Sequence, residues 1–74
     1  MDELDLRGLR CPLPALHTER RLRRLQPGET LCVLTDDPLA AIDIPHLCRQ
    51  GCYSLVDAEN LTTHHRFVIT KPAD

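Results

Sequence analysis

Cys11 is the residue with the most chemistry to offer, set in the run Arg7-Gly8-Leu9-Arg10-Cys11-Pro12-Leu13-Pro14. An alternating strand-like stretch precedes it and a helix-like stretch follows. The start of a helix carries about half a positive charge and stabilises an anion by ~0.3–1 kcal/mol, up to ~2 when partly buried. With one pKa unit equal to about 1.4 kcal/mol, a free thiol near ~8.5 is expected to fall by roughly half a unit to one unit. Arg7 and Arg10 push the same way where their side chains turn inward. Pro12 drives Cys11 towards extended backbone and suits the first turn of a helix. Pro12 and Pro14 also remove two amide donors from that turn, leaving the dipole and the arginines as the activating agents. Gly8 supplies a turn ahead of the thiol. The plainer reading of Cys11 is a small capping or packing residue, and the residues alone leave both open.

What surrounds Cys11 narrows its task. Position 14 is proline, so there is no C-x-x-C pair with a resolving thiol. No histidine is adjacent in sequence, which leaves His17 or His46 to approach in space as a base. A lone, activated, exposed thiol suits the acceptance and handing-on of a group.

Other reactive residues have simpler readings. His46, Cys48 and Cys52, with Cys11, His64 or His65, offer zinc-ligand types, but H-x-C-x-x-x-C is not the C-x-x-C knuckle of structural zinc sites. Small apolar packing residues are the plainer reading of Cys48, Cys52 and Cys32. His64 and His65 are adjacent in the last strand-like stretch and so point to opposite faces. Arg20, Arg21, Arg23 and Arg24 fall within five residues. Such a run suits RNA phosphates or an acidic protein, or simply a solvated face with Glu19–Arg23 pairing. Aromatic residues are 3% of the chain, too few for a stacking platform, so protein docking is the better functional reading.

Six short elements must position these groups. Leu4 to Arg7 alternate as a half-buried strand. Pro12 to Leu25 reads as a helix with Ala15, Thr18, Leu22 and Leu25 inward and His17, Arg20 and Arg24 outward; Pro27-Gly28 stops it. Thr30 to Thr35 is a strand whose inner set is either Leu31/Val33 or Cys32/Leu34. Asp36-Asp37-Pro38 announces a second helix that runs to about Gln50 and stops at Gly51. Pro45 inside it predicts a kink or a 3₁₀-like restart. Tyr53 to Asp57 and Arg66 to Thr70 form a hairpin turning around Glu59-Asn60, with Leu55, Phe67 and Ile69 inward. The order βαβαββ predicts an α/β (α+β) two-layer sandwich: a mixed four-stranded sheet, its first two strands parallel, with both helices on one face. The uncovered sheet face is a candidate docking surface.

Seventy-four residues allow a single domain, 1–74, with one thin core. Apolar residues are 42% and charged residues 27%, which excludes disordered and membrane-spanning classes. The longest plainly apolar run, Leu31 to Leu34, is far short of the ~20 residues of a spanning helix. The acidic start MDELDLR is unlike an export signal, so four free thiols in a reducing cytoplasm are expected. A net charge of -2 excludes a general nucleic-acid coat. A monomer that exchanges partners is the simplest state.

At these residues the sequence resembles the TusA/SirA-like sulfur carriers. LDLRGLRCPLP carries the C-P-x-P element after a Leu-Asp strand, PGETLCVLTDDP matches the second strand and turn, and AAIDIPHLCRQG matches the second helix. The three ordered blocks cover nearly the whole chain. The resemblance implies the same βαβαββ sandwich and a persulfide carried transiently on Cys11, with no resident cofactor and no metal. It implies an IscS-like cysteine desulfurase or a rhodanese-like protein as donor and a TusBCD/DsrE-like complex as acceptor. The end product in one branch is 2-thiouridine at the tRNA wobble position; other branches feed sulfur oxidation or molybdenum-cofactor synthesis. Matched positions Asp36, Asp37 and Asp43 are expected to help dock partners, with helix capping as the plainer role. The chain departs from many relatives in having His17, Glu19, Arg20 and Arg21 where they are lysine-rich, and Cys52 where they carry histidine. Two other classes stay in view: a thiol redox sensor built on Cys11, and an adaptor binding RNA or protein through the arginine helix.

Overall fold

The computed structural model describes residues 2–73. Its elements are β1 (Asp2–Asp5), α1 (Leu13–Arg24), β2 (Thr30–Thr35), α2 (Ala40–Gln50), β3 (Ser54–Asn60) and β4 (His65–Thr70). The strands form one sheet in the order β1-β2-β4-β3. β1 and β2 are parallel, while β2/β4 and β3/β4 are antiparallel. This is the mixed sheet with two helices that the element order predicts.

Register settles the phase of β2, which its run of apolar residues leaves open. Leu31 and Val33 pair with Ile69 and Phe67, and all four lie in the core with Leu22, Ile44 and Cys48 from the helices. Cys32 and Val68 are partners on the opposite side of the sheet. They are buried too, but outside that core cluster. Arg66, next to Val68 but one along in the alternation, pairs across the strands with Glu59 at 2.8 Å and reaches Asp57 at 3.9 Å. The helix-free face thus carries the charged cluster of Arg66, Glu59 and Asp57 beside Cys32 and Val68. Leu55 is paired with Ile69 but stays 37% exposed on the edge strand, where an irregularity separates it from Asp57.

The inner stripe of α1 is Pro14, Thr18 and Leu22, continued by Leu25 just past the helix. Buried Thr18 spends its hydroxyl on the Pro14 carbonyl at 2.7 Å, a hydrogen bond within the helix that leaves no polar atom stranded. α2 buries Ala40, Ile44 and Cys48. It runs without a break through Pro45, against the expected restart. Proline there forfeits one backbone bond, and the helix continues with Ile44 and Cys48 buried in the core on either side. The hairpin turns later than expected: Glu59 and Asn60 are strand, and the Leu61 amide donates to the His64 carbonyl at 2.8 Å across the loop. His64 therefore sits in the turn and bonds Thr63, while His65 enters β4 and stacks on Phe67.

Candidate functional site

Parallel pairing of β1 and β2 determines where the site forms. Asp5 is level with Leu34, so the chain leaves both strands at the same edge of the sheet. The segment carrying Cys11 and the segment carrying Asp36 and Asp37 are therefore neighbours, although more than 20 positions apart. Loops at the carboxyl ends of parallel strands are the usual location of a site in such folds.

Gly8 turns the first segment back with φ 92°, a conformation that glycine tolerates and side-chain-bearing residues resist. Its amide donates to Asp36 Oδ1 at 2.9 Å, and Arg10 donates to the same oxygen at 3.0 Å. Asp36 is thereby held below the usual carboxylate range, chiefly through the Gly8 amide. Asp37 is 3% exposed. Its Oδ2 accepts the Cys11 amide at 2.5 Å and its Oδ1 accepts the Leu39 amide at 3.2 Å, so one carboxylate ties the thiol segment to the start of α2. Asp43, in the first turn of α2, closes the arrangement: the Cys11 thiol lies 3.4 Å from its Oδ2 and donates to it.

The electrostatics run opposite to the sequence expectation. The Asp43 hydrogen bond, partial desolvation and the charges of Asp43 and Asp37 push the Cys11 thiol above its ordinary value. Arg7 turns to Asp5, bonding it at 2.9 and 2.8 Å, and Arg10 turns to Asp36. Neither arginine serves the sulfur. α1 begins at Leu13, with Pro12 at its cap and Pro14 inside the first turn. Cys11 thus stands one residue outside the cap, and the helix field fades within a turn of its end. The Cys11-Pro12 bond is cis. The side chain that meets Sγ is Asp43, and among the described residues neither His17 nor His46, considered as bases, hydrogen-bonds to it. Asp43 was expected at a docking surface; the clue to its place is that parallel β1 and β2 bring the first turn of α2 beside the β1–α1 loop.

Cys11 and Cys52 are exposed, whereas Cys32 and Cys48 are buried, on opposite sides of the sheet. Cys52 follows the C-cap Gly51 with φ 60°. Burial pushes the Cys48 thiol up as well. Among the described residues no group of three or more His, Cys, Asp and Glu is arranged to hold a metal ion. Nor is any helix long and apolar enough to cross a membrane.

The arginine run divides into two kinds. Arg23 pairs with Glu19 at 3.5 Å and Arg21 reaches Asp2 at 3.9 Å. Arg20 and Arg24, with Arg21 and His17, line a shallow cleft of about 130 Å³ floored by Leu4. The two helix starts that flank the Cys11 loop also carry exposed apolar side chains. Leu13 and Leu16 on the first turns of α1 are 44% and 51% exposed, and Leu39 and Ile42 at the start of α2 are 54% and 68% exposed.

The family model for sulfurtransferase TusA matches residues 2–71. The chain belongs to the TusA sulfurtransferase family. It is accordingly a sulfur carrier of the sulfurtransferase type, working through sulfur-relay partners. The fold agrees with solved structures. A SirA-like protein of Desulfitobacterium hafniense superposes with a TM-score of 0.85 at 20% identity, covering 97% of this chain and 99% of that one. A Helicobacter pylori protein, solved in solution, gives 0.79 at 19% identity over 99% and 100% of the two chains. Cys11, followed by Pro12-Leu13-Pro14, stands at the meeting of the β1–α1 loop with α2.

Proposed function

We propose that Cys11 accepts a sulfane sulfur as a persulfide from a cysteine desulfurase or a rhodanese-like donor. It then surrenders the sulfur to a TusD/DsrE-like acceptor, for 2-thiouridine formation at the tRNA wobble position. The observation that carries this reading is an exposed sulfur at the junction of two helix starts, inside a family of sulfur carriers. Sulfur relay needs a thiol that a partner's cysteine can approach to bonding distance, which a buried thiol forbids. It also needs a surface on which that partner can sit. Leu13, Leu16, Leu39 and Ile42 offer exposed apolar area on the two helix starts beside the sulfur. Asp36 and Asp37 are engaged in holding the chain, so their part in docking is indirect: they fix the frame that presents Cys11.

The redox-sensor reading is disfavoured by the same geometry. A peroxide sensor reacts through its thiolate, and here the Asp43 hydrogen bond, desolvation and the charges of Asp43 and Asp37 push the thiol up, away from thiolate. The transfer of a sulfane sulfur within a docked complex does not require a standing thiolate population, because the proton can leave as the bond forms.

The test is loading. Incubated with a cysteine desulfurase and cysteine, the protein should gain the mass of one sulfur atom, lost on treatment with a thiol reductant. Cys11→Ser should gain none. Failure of the wild-type protein to load from either a desulfurase or a rhodanese-type donor overturns the carrier assignment to Cys11.

A further inference from the structure

We propose that Asp43 governs the reactivity of Cys11, holding the thiol proton of the empty carrier and taking that proton when a donor sulfur is delivered. The inference rests on the carrier reading and adds the residue that controls it. Its basis is geometric. Asp43 stands in the first turn of α2, half-buried, with Oδ2 3.4 Å from Cys11 Sγ. Among the described residues it forms no ion pair, so its charge is not spent elsewhere.

The other charged groups around the thiol are accounted for. In the β1–α1 loop, Arg7 is paired with Asp5 and Arg10 with Asp36. In the β2–α2 connection, Asp37 bonds backbone amides on both sides. On α1, His17 belongs to the arginine cleft and Glu19 to Arg23. On α2, exposed His46 follows Asp43 by three positions. The field at Sγ is therefore set by carboxylates, which favour S–H over S⁻.

The consequence is selectivity by approach. A dilute electrophile meets a protonated, weakly nucleophilic thiol. A docked donor persulfide R–S–S–H places its outer sulfur against Sγ and excludes water. Sγ then bonds to that outer sulfur as the S–H proton passes to Asp43 Oδ2. The donor S–S bond breaks, its electron pair leaves on R–S⁻, and Asp43 returns the proton to that thiolate. The sum is Cys11–SH plus R–S–SH giving Cys11–S–SH plus R–SH, with no outside oxidant or reductant. Once loaded, Sγ has no proton to donate. The bond that pinned it to Asp43 is gone, and the outer sulfur is free to reach the acceptor.

The test compares wild type, Asp43→Asn, Asp43→Glu and Glu59→Gln, following iodoacetamide alkylation at the Cys11 peptide across pH. Asp43→Asn should move the profile to lower pH and react several-fold faster at neutral pH, while loading from a desulfurase slows. Asp43→Glu should return both readouts towards wild type, and Glu59→Gln, on β3 and paired with Arg66, should leave the alkylation profile in place. A profile of Asp43→Asn that overlies wild type, or loading that is equal or faster, overturns the proposal. The wild-type protein gives an independent check: an NMR titration of Cys11 Cβ should show a midpoint above that of free cysteine, and one at or below it overturns the proposal. Alkylation and titration need no sulfur donor, so they judge Asp43 even where loading itself fails.

Discussion

Cys11 and Asp43 are 32 positions apart in the chain, yet Sγ of one and Oδ2 of the other are 3.4 Å apart. The distance follows from a single topological fact, the parallel pairing of β1 with β2. It puts the loop after one strand against the helix after the other. The contact makes this thiol a protected one, whose reactivity depends on what is brought to it.

Asp37 should matter more to the fold than to the chemistry. Its buried carboxylate holds the amides of Cys11 and Leu39. Asp37→Ala leaves both amides without that partner and removes a cap-like contact at α2, so it should destabilise the protein by about 2–4 kcal/mol. Asp37→Asn keeps an acceptor oxygen and should cost less. Urea denaturation of the three proteins checks the order, and an Asp37→Ala midpoint equal to wild type would refute the bracing role.

Acid should loosen the loop that presents the thiol. The Arg7 hydrogen bonds hold the Asp5 carboxyl at about 2, below the ordinary 3.8. A carboxylate depressed on folding adds stability that is complete above the unfolded value and is lost as pH falls through the folded one. The Asp5 contribution should therefore be intact above 3.8 and disappear towards about 2. Asp36, also lowered, acts with the same sign. Asp5 is exposed, so the effect is small and screened by salt. Denaturation midpoints measured down that window should fall less steeply for Asp5→Asn than for wild type; parallel slopes would contradict the assignment.

The arginine cleft should act at a distance and through charge. Arg20→Ser with Arg24→Ser removes cations that line it without touching the Glu19–Arg23 pair. Association with an acidic sulfur donor or acceptor should slow at low ionic strength and converge on wild type as salt rises. Stopped-flow association rates across a salt series provide the measurement. Identical salt dependence for variant and wild type would exclude a docking role for these residues.

Much of this was legible in the chain, and the failures share a cause. Alternation and helical spacing gave all six elements in order, because Leu22, Phe67 and Ile69 obey periods that burial enforces, although β1 is Asp2–Asp5 and not Leu4–Arg7, since its pairing with β2 ends at Asp5. The phase of β2 was not legible, since Cys32 is buried almost as completely as Leu31 and Val33, on the other side of the sheet. Cys11 stood out through its flanking prolines and arginines. Its electrostatics did not, because nearness in sequence pointed to Arg7 and Arg10, whereas nearness in space belongs to Asp37 and Asp43. Local signals report the backbone well. They report poorly on which charges meet across 26 or 32 positions, which is decided by strand pairing.

The most direct test of the account is to locate the sulfur. Protein loaded by a cysteine desulfurase, digested without reductant and mapped by tandem mass spectrometry, should carry its added sulfur on the Cys11 peptide. Cys52 is the other exposed thiol. Sulfur found on Cys52, with Cys11 unmodified, would contradict the account at its centre.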